Sequence, residues 1–139
     1  MNQDVKNRWI KALRSGDYDQ GRTVLRKDNN YCCLGVLCDL YLEDHNKGWR
    51  VEEVDHEGWH LEEINHDGFY LEEMYNKTID YYCDDEDEML PQTVQKWAGL
   101  EESDPRIADE TGDLFGISYY NDQLNMPFNQ IADLIEEAL

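Results

Sequence analysis

The sequence predicts a small α+β domain with helices at both ends packed on a short antiparallel meander. Three observations carry this. An amphipathic segment opens the chain, a ten-residue unit recurs three times in its middle, and a run of apolar residues at helical spacing closes it. A chain of 139 residues suits one domain with a modest core.

The first helix is expected over about Asp4 to Ser15, with Val5, Trp9, Ile10 and Leu13 on one face and Gly16 just beyond its end. Arg22 to Arg26 reads as a short extended segment. Asn29 and Asn30 then stand as caps before Tyr31 to Leu42, whose apolar residues run nearly all the way round, the pattern of a buried central helix. A buried strand is the alternative there. Gly35 lowers helix propensity, but it would let a neighbour approach closely.

The repeat spans about 48–77 as GWRVEEVDHE, GWHLEEINHD and GFYLEEMYNK. Asp55-His56-Glu57-Gly58 and Asn65-His66-Asp67-Gly68 each place Asp or Asn first and Gly fourth, the signature of a three-residue hairpin loop with a bulge. Two hairpins would put Trp49, Val51, Trp59, Leu61, Phe69 and Leu71 on one face. Glu62 would stand opposite both Glu52 and Glu72, giving a carboxylate row across three strands. Opposed like charges in a sheet are unfavourable, and a cationic partner would relieve them. The helical alternative pairs Val51 with Val54 and Leu61 with Ile64, but a glycine every ten residues would cut it into pieces too short to be stable alone.

Thr78 to Cys83 reads as one further strand, and Asp84-Asp85-Glu86-Asp87-Glu88 as a solvated acidic loop. Leu90-Pro91 opens a helix with Val94, Trp97 and Ala98 inward and Gly99 after its end. The stretch from Glu101 to Gly116 is loop-like, and Tyr119 to Leu124 makes one or two helical turns. The final helix, about 127–139, follows Pro127 and carries Phe128, Ile131, Ala132, Ile135 and Leu139 inward.

Two blocks and a shorter third carry a resemblance. Trp9 to Gly16 followed by Tyr31 to Cys38, and Asn121-Asp122 followed by Phe128 to Glu136, together with Leu90-Pro91 to Leu100, resemble a group of small uncharacterised proteins encoded by bacteriophages and some bacteria. The resemblance covers somewhat over half the chain. It implies a phage setting and assigns no activity; the decapeptide repeats fall in the variable middle of that pattern.

Charge narrows the partners. The formal net charge is -20, from 32 acidic and 12 basic residues, well beyond the magnitude of roughly 2 to 8 that solubility asks of a small domain. Such a field repels nucleic acid and anionic membrane and attracts a basic protein surface. An aromatic fraction of 12% argues against wholesale disorder. The charged opening segment does not read as a signal peptide, nowhere are 18 apolar residues consecutive, and a cytoplasmic location is expected. The spacing of Cys32, Cys33, Cys38 and Cys83 suits reduced thiols rather than a disulfide framework.

Several chemistries compete. Cys32 or Cys33 near a helix start would have a lowered thiol pKa and could act as a nucleophile, although no nucleophile motif surrounds them; buried structural cysteine is the plainer reading. Cysteine and histidine spacing matches no zinc site, the acidic run lacks the calcium-loop pattern, and no cofactor or metal is expected. An aromatic pocket lined by Trp49, Trp59 and tyrosines would suit a small ligand. Charge mimicry is the favoured specific reading: Glu52, Glu62, Glu72, Asp84, Asp85, Glu86, Asp87 and Glu88 imitate nucleic-acid phosphates and occupy a basic host protein, in binding rather than catalysis. The plain alternative is a tolerated duplication whose acidity serves solubility. An exposed edge strand at Trp49 or Phe69 would make a homodimer easy.

Overall fold

The computed structural model describes the backbone of residues 1–64 and 68–139, and the side chains of 1–54 and 78–139. Helix α1 spans Gln3–Ser15. The side chain of Asn2 accepts a hydrogen bond from the Val5 amide at its start, and Gly16 ends it with φ +78°, a left-handed conformation that glycine adopts without a Cβ penalty. Val5, Trp9, Ile10 and Leu13 are buried, as their spacing predicts. Three two-residue strands follow: β1 (Asp19–Gln20), β2 (Arg26–Lys27) and β3 (Asn30–Tyr31). They form one sheet with β3 central, parallel to β1 and antiparallel to β2.

Helix α2, Cys33–Asp44, is the buried centre of the molecule. Its first residue is later than the sequence suggests. Asn30 belongs to β3, and the cap is Cys32, whose sulfur accepts from the Gly35 amide at 3.4 Å. Asn29 lies in the turn before β3 and Asn30 in β3 itself, and the helix enters the core at its cap. Gly35 does admit a close neighbour: a Cβ there would lie 1.7 Å from the carbonyl oxygen of Leu25, itself fully buried.

The repeats form strands but not a meander. Strands β4 (Arg50–Ile64) and β5 (Gly68–Tyr82) make one antiparallel hairpin of fifteen residues a side. The turn expected at Asp55 to Gly58 is absent, because those residues pair in the ladder with Lys77, Asn76, Tyr75 and Met74. Thr78 to Tyr82, expected as an extra strand, is the partner of Arg50 to Val54. Its Thr, Ile and two Tyr residues suit a pleated surface and take the place beside the first repeat that the second repeat was expected to fill. The second expected turn falls on residues 65–67, which lie outside the described residues; the ladder beside it pairs Ile64 with Gly68.

Helix α3 is Gln92–Ala98, one residue after the predicted start, with Pro91 as its cap and Gly99 ending it at φ +69°. The stretch read as loop contains a small hairpin, β6 (Arg106–Ala108) with β7 (Leu114–Gly116). Three-residue strands are too short to show a periodicity. Helices α4 (Ile117–Asp122) and α5 (Phe128–Ala138) complete the chain, and α5 buries Phe128, Ile131, Ala132 and Ile135. The fold is thus α+β with helices at both ends, α1 packing on α5 while α2 meets α1, α3 and α4. Among the described residues no helix is long and apolar enough to cross a membrane.

Candidate functional site

The acidic run sits at the base of the long hairpin and is not uniformly solvated. A tight turn joins Cys83 to Glu86 by two backbone hydrogen bonds of 2.9 and 3.1 Å, with Asp84 at φ +52°. The Asp84 carboxylate turns inward. It accepts from the Tyr41 hydroxyl at 3.3 Å and from Thr93, and Lys47 Nζ lies 3.7 Å away. Asp87 is half-buried, and its carbonyl accepts from the Leu25 amide at 2.7 Å. Asp85, Glu86 and Glu88 are exposed.

One cation joins the two predicted acidic regions. Arg50, the first residue of β4, bonds Glu52 and has Asp85 4.0 Å away on its other side. Glu52 and the acidic run therefore converge. Glu62 and Glu72 do not join them in a row: Glu52 stands opposite Asp80, Glu62 opposite Tyr70, and Glu72 opposite His60. Glu62 pairs two residues short of the Glu72 expected opposite it, and Glu52 pairs with the segment after the repeats instead of with the second repeat. At about 3.4 Å per residue, Glu62 is about 34 Å along the strand from Glu52.

The thiols lie deep. Cys32 is 3% exposed and Cys33 fully buried, and burial pushes the Cys32 thiol up to about 12 and the Cys33 thiol upward as well. The lowering expected from the helix start is outweighed, because desolvation penalises the charged thiolate more than the capping amides favour it. Asn121, buried beside them, is what positions this helix start. Its Oδ1 accepts from the Cys33 amide (3.3 Å) and Gln20 Nε2 (2.9 Å), and its Nδ2 donates to the Gly21 carbonyl (2.9 Å) and Asp122 (2.8 Å).

A second constellation is aromatic. Trp49 meets Tyr31 at 6.1 Å between ring centroids, and Tyr31 meets Tyr18 edge-on at 5.0 Å. Asp39 of α2 accepts from the Tyr18 hydroxyl at 2.6 Å and from Trp49 Nε1 at 2.9 Å, which fixes both rings. Burial, followed by the hydrogen bond to Asp39, holds the Tyr18 hydroxyl well above the usual phenol range. The Arg26 guanidinium lies 5.1 Å from the Tyr31 ring, 5.7 Å from Trp49 and 4.5 Å from Tyr81. Of the aromatic pocket read from the sequence, Trp49 and three tyrosines do come together; the side chain of Trp59 is outside the described residues. Arg26 and Asp39 were missed, since the cluster draws on four separated segments and no local pattern joins them.

An open cleft of about 720 Å³ lies between the acidic run and the segment after α3, with Met89 and Leu90 as apolar lining and Glu86, Glu101 and Glu102 at its wall. Glu102 is paired with Arg106 at 2.9 Å. Among the described residues no three His, Cys, Asp or Glu side chains converge as metal ligands would.

These features define an acidic α+β protein with a buried, thiol-capped central helix and a long two-stranded hairpin. The chain belongs to the family described as Domain of unknown function (DUF8296), which matches residues 1–139. No curated protein and no solved structure matches it.

Proposed function

We propose that the protein is a non-enzymatic acidic binder, phage-encoded, that occupies a basic host protein of the nucleic-acid-binding or defence type by charge mimicry. The observation that carries this reading is the meeting of Glu52 and Asp85 on one cation, Arg50, at the hairpin base, with Glu86 and Glu88 exposed in the same acidic run. Exposed carboxylates held on a turn and a strand present a fixed anionic pattern to a cationic groove, in a chain whose net charge of -20 draws such partners from beyond contact distance. Asp84 serves this surface by holding the turn in place. Glu62 and Glu72 extend the acidic sequence along the ladder.

Capture of basic host proteins by the tagged chain tests the reading when it is run at low and moderate salt, with duplex DNA as competitor. Retention should fall as salt or DNA rises. Reversal of Glu52, Asp85 and Glu88 to Lys should weaken binding by about tenfold or more and flatten its salt dependence. The parallel reversal of Glu52, Glu62 and Glu72 measures what the ladder adds. Affinity unchanged in both variants would overturn the proposal.

A further inference from the structure

We propose that the rings of Tyr31, Trp49 and Tyr81 form a guanidinium-binding box, occupied in this structure by the chain's own Arg26 and able to take an arginine side chain of a ligand when Arg26 is withdrawn. The inference does not depend on the acidic surface, because the box is built from rings. All three rings lie within 6 Å of the cation, the range in which ring quadrupoles attract it. Its walls are preorganised: Asp39 holds Trp49 directly, and holds Tyr18 against Tyr31.

Among the described residues no carboxylate stands within ion-pair distance of Arg26. Its hydrogen bond runs from Nε to the Asp28 carbonyl at 2.6 Å, within its own hairpin. A weakly hydrated planar cation stacks well on aromatic faces, so these three rings suit a guanidinium. Arg26 is only half-buried and sits on a two-residue strand. Beside it opens a cleft of about 170 Å³ lined by Tyr81, by Arg26 and Lys27, and by Asp80 and Asp87; the two carboxylates balance the two cations, and withdrawal of Arg26 leaves the lining net negative. An arginine arriving by this cleft would find the same three faces that Arg26 now uses.

The test empties the box. Arg26→Ala is titrated with N-acetylarginine amide while the Trp49 indole N–H resonance is followed by NMR, beside the wild type and Arg26→Met, whose neutral side chain keeps the box filled. Arg26→Ala should bind saturably and at least about tenfold more tightly than either. The uncharged citrulline analogue should give no saturation, and Tyr81→Leu added to Arg26→Ala should abolish binding. No saturable shift in Arg26→Ala, or an equal response to citrulline, overturns the proposal. Should Arg26→Ala fold incompletely, its thermal midpoint decides: a rise with the arginine ligand beyond that with equal sodium chloride supports the site, and equal rises overturn it.

Discussion

Gly35→Ala sets two well-understood effects against each other. On helix propensity alone, alanine in the first turn of α2 should stabilise the protein by up to about 1 kcal/mol. The tertiary structure reverses the sign. The new Cβ would lie 1.7 Å from the Leu25 carbonyl oxygen and 2.7 Å from its carbon, both backbone atoms. Relief needs a backbone shift of about 1.5 Å or more, and that carbonyl accepts from the Cys32 amide at 3.2 Å while the Leu25 amide donates to Asp87. Losing the Cys32 bond leaves a buried amide unpaired, at a cost of about 1–3 kcal/mol. Overpacking and the displacement of a fully buried leucine add about 1–3 kcal/mol. After subtracting the propensity gain, the expected net loss is about 1–5 kcal/mol. For a chain of 139 residues, with an unfolding entropy of about 0.3 kcal/mol/K, that lowers Tm by roughly 3–17 °C. Urea unfolding followed by circular dichroism measures the free energy, with Gly48→Ala as control: a Cβ there meets nothing within 4 Å, and the change should be neutral within about 0.5 kcal/mol. A Gly35→Ala protein as stable as the wild type would refute the argument that Leu25 backbone contact, rather than propensity, decides this position.

Other expectations follow from the same geometry. Asn121→Ala strands the Cys33 amide and the Gly21 carbonyl and should cost about 2–4 kcal/mol. Asn121→Asp keeps the acceptor but sets a carboxylate against that carbonyl and Asp122, so its deficit in urea midpoints should grow as pH rises through the carboxylate range. The four cysteines are all free and buried, and native protein should react with a thiol reagent at pH 8 on the order of 100-fold more slowly than the denatured chain, which should titrate all four. A rapidly labelled Cys32 or Cys33 would contradict that and restore the nucleophile reading. The Arg8 guanidinium, bonded to Asp44 at 2.8 and 2.9 Å, holds that carboxyl below 3.8. A depressed folded-state pKa means stability that is present above the unfolded value and lost as pH falls through the folded one. Because the pair is exposed, Arg8→Ala should cost less than about 1 kcal/mol. The gap from wild type should be constant from neutral pH to about 5 and close below about 4, and 1 M salt should shrink it.

Local signals carried the helices. The buried faces of α1 and α5 follow from apolar spacing along the chain, and Gly16 and Gly99 mark helix ends by the left-handed backbone that each adopts. The cap of α2 was not legible: Asn30 has the better side chain for the role, but its backbone lies in β3 between Asp19 and Lys27, two residues before the cap position, and a thiol serves instead. Strands of two or three residues leave no periodic trace at all.

By itself the sequence determined a helix-flanked α+β chain, a strand-forming repeat, room for a close neighbour at Gly35 and a net charge of -20. Each of these rests on composition or on residues within a turn or two of one another. Tertiary structure alone decided which strand pairs with which, because three near-identical repeats offer equivalent turns at 55–58 and 65–68 and local propensity cannot rank them. It also decided that Glu52 and Asp85 share Arg50 while Glu62 and Glu72 lie elsewhere on the ladder, that burial raises the thiols a helix start would otherwise lower, and that Trp49 and Tyr81 from distant segments join Tyr31 around Arg26. Partner choice, desolvation and convergence of distant segments are properties of the packed chain, and no window of sequence contains them.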